Sequence, residues 1–595
     1  MGKEIDTLPL QDTQLDTTYL TDEISTPMTD GAILRGNLYL PTGKGPWPVL
    51  IERTPYGKDS NSVEANQVKS PQFYAERGYA VVIQDTRGRH RSEGTFYVLR
   101  DDGWNVNRDG YDTIEWLARQ DWCTGRVGMI GGSYGAITQY HAAPTRPPHL
   151  TALFPREFAS DPHEVGYYRG GAFELGHNLY FSLTQTRLNL DHLVDGKENH
   201  RIGRILDKAE DEFDGWLEFL PLAEMPLLKG LAPWYYDWID HPEDGPYWWE
   251  WNTELRHHDT DTPAYHLGGW FDQLLKGTID SFVGMSTKAR SRRSRESQKM
   301  IIGPWTHGPP QRDWQVAGEF DFGPDAGVDF NELRLPWYDY WLKDRKTGIL
   351  DEPRVRYFTT GVNRWHTSDT WPPAGVKPFR LYFDGGKSGS ADSLNDGRLV
   401  DDLPRGTEGA DSYLYDPNDP VRTHGGTLGW PTDPPGGPRD QRQVERRCLT
   451  YTSVPMQENL EVTGPINATL FAISSAPDTD WVVRLSDVHP DGVSQPVAET
   501  ILRARYRNKP RTVQHLIEPG MTYEYSIDLW NSSHVFLQGH QVRVTVTSSS
   551  FPKWDRNLNT GGPFGREIES KQAINTILRD RFRPSHVTLS VRSAT

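Results

Sequence analysis

Short apolar runs alternate with amphipathic stretches through the first third of the chain. Residues 48–51 (PVLI), 79–83 (YAVVI) and 127–130 (VGMI) are almost wholly apolar, the pattern of strands buried on both faces. Between the last two, residues 111–120 (YDTIEWLARQ) have helical character. Strands alternating with a helix predict a parallel sheet of the α/β class. From about Asp161 to Arg256 the strand signal fades. Helical stretches such as 201–220 there alternate with the Pro- and Trp-rich segments APWYYDWID and GPYWWEW, which predicts an inserted helical cap. Strand runs resume at 264–267 (AYHL) and 299–302 (KMII), each followed by glycine, and 330–343 is the last expected helix of this unit. Beyond about residue 350, alternating segments at 468–473, 481–485 and 541–547 predict a β-sandwich or jelly roll. The Gly-, Pro- and Asp-dense stretch 384–440 forms long connections into it. The expected organisation is an α/β catalytic domain over 1–160 and 257–350, a helical cap over 161–256, and a β domain over 351–595.

At 595 residues the chain exceeds what one core organises. Its formal charge of −17 disfavours nucleic acid and anionic membranes as partners. The basic run at 288–295 (KARSRRSR) has no stacking aromatics interleaved and reads as a solvated helix end. Cys123 and Cys448 are too few for a disulfide scaffold and lack zinc spacing, so both are expected as reduced thiols. The first nineteen residues hold no apolar leader core, and no run is long enough to span a bilayer. Cytoplasmic residence is therefore expected, and the sequons at Asn467 and Asn531 carry little weight. With no HExxH, no Cys/His ligand spacing and no phosphate-cradling loop, neither metal nor cofactor is expected. Self-association is left open.

The chemistry concentrates at Gly131-Gly132-Ser133-Tyr134-Gly135, a G-x-S-x-G pattern. Small flanking residues let a strand turn sharply into a helix and lift the serine hydroxyl into solvent. RVGMI before it is strand-like and AITQYHAA after it is helix-compatible, the context the motif requires. A serine needs a histidine to take its proton and an acid to orient that histidine. In the α/β-hydrolase order of Ser, acid, His, Asp272 (AYHLGGWFD) and His307 (KMIIGPWTHG) each follow a strand, where open α/β sheets gather functional groups. The rivals are weaker: His257, His258, Asp259 and Asp261 (HHDTDT) read as a polar linker, and His266 and His141 as packed or capping histidines. Acyl transfer also needs oxyanion donors. The Tyr134 N–H is one. The Tyr56 hydroxyl, in the loop after 48–51, is a second candidate, with a packed loop tyrosine the equal alternative.

The motifs RTPYGK (53–58), QDTRGRHRSEG (84–94), WCTGRVGMIGGSYG (122–135), GGWFD and GPWTHG follow one another in an order that resembles the cocaine esterase and X-Pro dipeptidyl-peptidase-like family of serine hydrolases. The likeness spans 53–308 and extends more loosely to YYRGGAF (167–173) and the C-terminal third. It implies an α/β-hydrolase domain with an inserted cap and a C-terminal jelly roll of galactose-binding-like type. It also implies a Ser133, Asp272 and His307 triad, with Tyr56 and Tyr134 forming the oxyanion hole. His90 departs from the family's small residue after DTRG and receives no role.

The expected reaction is cleavage of a small-molecule ester or amide through an acyl-enzyme, with neutral hydrophobic or aryl acyl groups preferred. In the family's α-amino-acid ester hydrolases, acidic residues stand two and three positions after the catalytic aspartate; here they are Leu274 and Leu275. Trp270 and Leu274 are thus candidate substrate contacts. The alternative is an X-Pro dipeptidyl-peptidase-like or α-amino-acid ester hydrolase, with Asp161 and Glu164 gripping the substrate ammonium; capping of a helix start is the equal reading for both. An inactive carbohydrate-binding protein is the alternative of another class.

Overall fold

The computed structural model describes residues 20–309, 312–432 and 435–592; the expectation for a leader falls outside them. The catalytic unit is built on a ten-stranded sheet. Its strands are β1 Leu20–Pro27, β2 Ile33–Leu40, β3 Trp47–Thr54, β4 Ala80–Asp85, β5 Cys123–Gly132, β6 Leu150–Arg156, β7 Tyr265–Gly269, β8 Lys299–Gly303, β9 Val355–Thr359 and β10 Arg364–Ser368. In space they run β1-β2-β4-β3-β5-β6-β7-β8-β9-β10. The pairs from β4–β3 through β8–β9 are parallel. The apolar runs form the parallel centre because helices cover both faces: β4 is buried at every position. Helix Asp109–Ala118 lies where the amphipathic stretch predicted it, and the closing helix spans Phe330–Lys343.

Two parts of the sheet lie outside the sequence reading. The antiparallel hairpin β1–β2 extends one edge. β9 and β10 extend the other, so the sheet continues past the boundary expected at 350.

The cap joins helices Leu175–Leu188, Gly196–Asp211, Phe213–Leu217 and Pro233–Asp240. The expected helix over 201–220 is two helices in the structure. Trp234, Trp238 and Trp248 are fully buried and form the cap's own core.

The C-terminal domain is a twelve-stranded, mainly antiparallel β system beginning at Val376, built around Leu460–Ser474, Thr522–Phe536 and Gln541–Thr547. It clamps the cap. Arg511 pairs with Glu164 at 2.7 Å, Asp555 accepts the Phe173 N–H at 2.7 Å, and Trp554 donates to Glu174 at 3.0 Å. Gly170 approaches so closely that a Cβ there would lie 2.1 Å from the Ile501 carbonyl oxygen. Among the described residues no helix is long and apolar enough to cross a membrane.

Candidate active site

Ser133 stands between β5 and helix Tyr134–Ala142 with φ 55° and ψ −117°, a conformation a side-chain-bearing residue rarely adopts. Its N–H donates to the Arg156 carbonyl at 2.9 Å, and its carbonyl accepts the Ala136 N–H at 2.9 Å. The glycines around it are steric requirements. Gly131 has φ 125°. A Cβ on Gly132 would lie 2.1 Å from Nη2 of Arg156.

Tyr56 and Ser133 line the same cavity, with the phenol near enough to feel the serine hydroxyl. The Tyr56 loop is braced from behind. Arg89 donates to the Pro55 carbonyl at 2.8 Å, and Nε2 of His90 lies 3.3 Å from the same oxygen. The His90 ring fills the space beside Gly57, where a Cβ would meet it at 2.9 Å. His90, left without a role by the sequence, thus supports the Tyr56 loop. Burial pushes the Tyr56 phenol up, so it stays a proton donor at neutral pH.

At the carboxyl ends of β7 and β8, Asp272 Oδ1 lies 2.9 Å from His307 Nδ1. Asp272 is fully buried and also accepts the Leu274 N–H at 3.2 Å, which fixes its rotamer. A second carboxylate, absent from the sequence reading, faces the same ring nitrogen: Glu157 Oε2 is 3.2 Å from His307 Nδ1. Glu157 directly follows β6 with φ 56° and accepts the Gly308 N–H at 2.9 and 3.1 Å. It also pairs with Arg156, whose Nε reaches Glu64 at 2.6 Å; Arg334 then binds Glu64 at 3.0 Å. Burial alone would push His307 down, but the negative charges of Glu157 and Asp272 outweigh it and hold its pKa up. Burial raises Glu157, against the pull of Arg156 and His307. Glu157, Asp272 and His307 are close enough to share a cation. The Arg156 guanidinium already supplies positive charge there.

Beside Ser133 opens a narrow cavity. Leu99, Ile137, Tyr167, Phe181, Trp251 and Leu274 form its apolar walls, and Tyr56, His141 and His177 bring polar groups. Burial pushes His141 down to about 4 and also lowers His177, so both stay neutral. His177 Nδ1 is held by the Gly429 carbonyl at 3.0 Å, which ties a cavity wall to the C-terminal domain.

Of the candidate substrate contacts, Leu274 lines this cavity and three do not. Trp270 donates to the Phe358 carbonyl at 2.6 Å and packs against Trp371, inside the core between sheet and helix. Asp161 caps the helical turn Pro162–Tyr167, accepting the N–H groups of His163 and Glu164. Burial and the nearby Asp244 push its carboxyl to about 7. Glu164 is committed to Arg511. The capping alternative therefore describes Asp161, and an ion pair occupies Glu164. Among the rival histidines, His266 is enclosed by Tyr140 and Gln298. His257 packs against Gly284 instead of lying in an open linker, whereas His141 lines the cavity.

Comparison with known proteins agrees with this architecture. Residues 30–309 match the model of the X-Pro dipeptidyl-peptidase (S15) family, and 347–588 match the X-Pro dipeptidyl-peptidase C-terminal non-catalytic domain. The cocaine esterase of Rhodococcus sp. (strain MB1 Bresler) is 35% identical over 96% of this chain and 98% of its own. An aminopeptidase from a marine sediment archaeon, Thaumarchaeota archaeon, superposes with a TM-score of 0.82 at 26% identity, covering 100% of this chain and 99% of that one. An α-amino acid ester hydrolase superposes at 0.80 with 25% identity, covering 100% of both chains. The chain therefore belongs to the cocaine esterase and X-Pro dipeptidyl-peptidase (S15) family, and it is a serine hydrolase.

Proposed function

We propose that this hydrolase cleaves esters of neutral, hydrophobic or aryl acyl groups, with Ser133 as nucleophile, His307 as general base and Asp272 as its orienting acid. The observation that carries the acyl preference is the cavity at Ser133. Its walls are mainly apolar, and both cap carboxylates considered as holders of an ammonium group are engaged elsewhere. The 35% identical relative being an esterase supports the ester assignment.

In this mechanism Ser133 Oγ attacks the ester carbonyl carbon as Nε2 of His307 takes its proton. Asp272, bonded to Nδ1, fixes the tautomer, and with Glu157 it stabilises the imidazolium. The carbonyl oxygen gains the negative charge between the Tyr56 hydroxyl and the Tyr134 N–H. Collapse expels the alcohol, which leaves with the proton from His307. Water then attacks the acyl-enzyme, again giving its proton to His307, and the acid departs as Ser133 is restored. No step routes through a metal or cofactor. Residence in the cytoplasm completes the proposal, supported by two buried free thiols of a kind that persists in a reducing compartment.

The test compares kcat/KM for phenylacetyl and phenylglycyl esters of one alcohol, which differ by the α-ammonium. Burying even a neutral polar group unpaired costs about 1–3 kcal/mol, so the phenylacetyl ester should win by about five- to a hundredfold. A phenylglycyl preference that vanishes in Glu164→Gln would replace this reading with an α-amino-acid ester hydrolase.

A further inference from the structure

On the C-terminal domain, far along the chain from Ser133, three imidazoles gather around one carboxylate. Asp487 lies near the end of strand Asp480–Val488, and His489 follows that strand directly. His540 immediately precedes Gln541–Thr547, the neighbouring strand in the sheet. His534 projects from Thr522–Phe536. Asp487 is 1% exposed. His540 Nδ1 lies 2.9 Å from Asp487 Oδ1 and 3.0 Å from Oδ2, and His489 Nε2 lies 3.8 Å from Oδ2. The two rings stand 4.6 Å apart, and one ligating atom from each of the three residues falls within 4.8 Å of the others.

His540 bonds the carboxylate, while His489 Nε2, 3.8 Å from it, instead meets Gln495 Oε1 at 3.2 Å, a neutral amide contact that an incoming ion would displace. Nitrogen and oxygen ligands about 2.0–2.2 Å from a tetrahedral metal stand about 3.3–3.5 Å from one another, close to the spacings here. The surroundings supply what such a site needs. His534 donates from Nε2 toward Asp487 Oδ2 at 3.1 Å, while its Nδ1 lies 2.8 Å from the Thr360 hydroxyl, so the carboxylate is oriented from behind. His489 and His540 are partly exposed, with 27% and 13% of their side chains open, which leaves an approach for an ion and a water.

We propose that Asp487, His489 and His540 form a binding site for a divalent transition metal with borderline nitrogen and oxygen preference, of which Zn²⁺ is the representative, with water as fourth ligand. Asp487 gives a carboxylate oxygen, His540 gives Nδ1 and His489 gives Nε2. His534 orients the carboxylate. The site ties the end of one strand, the turn after it and the start of the adjacent strand together. Its role is to brace the C-terminal domain, since the proposed chemistry at Ser133 uses no metal.

The experiment uses untagged full-length protein, stripped with chelator and titrated with Co²⁺ and Zn²⁺. One equivalent of Co²⁺ should give the visible absorption of a tetrahedral site, Zn²⁺ should displace it, and Zn²⁺ should raise the thermal midpoint. His489→Ala should abolish both signals, and His534→Ala should weaken binding about ten- to a hundredfold. Ester turnover by these variants at the assay temperature should match wild type. His489 is partly exposed, so its variant keeps the test valid even if Asp487→Asn fails to fold. Absence of any stoichiometric Co²⁺ signal in wild type, or its full retention in both His489→Ala and His540→Ala, would overturn the site.

Discussion

Glu157→Gln removes the second negative charge beside His307 while keeping an amide oxygen to accept the Gly308 N–H and Arg156. The Asp272 bond to His307, at 2.9 Å, remains, and the 3.2 Å contact keeps an oxygen but loses its charge. A hydrogen bond to a charged group contributes about 1.5–3 kcal/mol; the longer contact and the competing Arg156 charge place Glu157 at the low end, about tenfold in kcat/KM. The pH dependence gives a sharper test. In the proposed mechanism His307 acts as a base only when neutral, so kcat/KM falls on the acid side as it protonates. Glu157 favours the imidazolium and, with Asp272, holds its pKa up against burial. Without Glu157 burial pulls that pKa down, and the acid limb moves to lower pH. The variant should therefore be about tenfold slower on the plateau, with a deficit that shrinks as pH falls. The assay is kcat/KM for a short-chain nitrophenyl ester across the pH range, with a circular dichroism melt to show that the fold persists. An unchanged rate together with an unmoved acid limb would refute the reasoning and leave Glu157 as a purely structural partner of Gly308 and Arg156.

Ser133→Ala should reduce ester turnover by at least about a thousandfold while the thermal midpoint holds, and loss of labelling by a fluorophosphonate, read by mass spectrometry, checks it. Tyr56→Phe should lower kcat about a hundred- to a thousandfold with little change in KM, because the lost hydroxyl acts on charge developed in the transition state. Gly132→Ala should destabilise the fold by about 1–3 kcal/mol in chemical denaturation. Its Cβ would meet Arg156, which cannot swing away while Glu64 and Glu157 hold it.

The elbow was legible in the sequence because its requirements are local: glycines, a serine and a strand-to-helix switch fall within one turn. Asp272 and His307 were legible because each follows an apolar strand run in the expected order. Glu157 was not. It follows a strand too, in FPREF, but it meets His307 only because β7 and then β8 come next after β6 across the sheet. Nothing in its neighbours' chemistry marks it. A search for every carboxylate just past a strand would have found it. Trp270 was misplaced for the converse reason, since a large ring next to Asp272 in sequence turns to the opposite side of the chain and into the core. Hairpin β1–β2 and strands β9–β10 went unread because one-sided edge strands carry a weaker apolar signal than the central ones. Asp487, His489 and His540 escaped because the antiparallel pairing of Asp480–Val488 with Gln541–Thr547, distant along the chain, brings them together, not a ligand spacing.

The cap is fastened to the C-terminal domain at Glu164, Phe173 and Glu174, with Gly170 pressed against Ile501. A cover so anchored is a wall and not a door. Substrate selection is then expected to be sieving by an aperture of nearly constant shape, with no opening stroke for solvent friction to slow. Adding viscogen should leave kcat for a slowly hydrolysed ester unaltered, while point changes in the walls redraw the range of acceptable acyl groups.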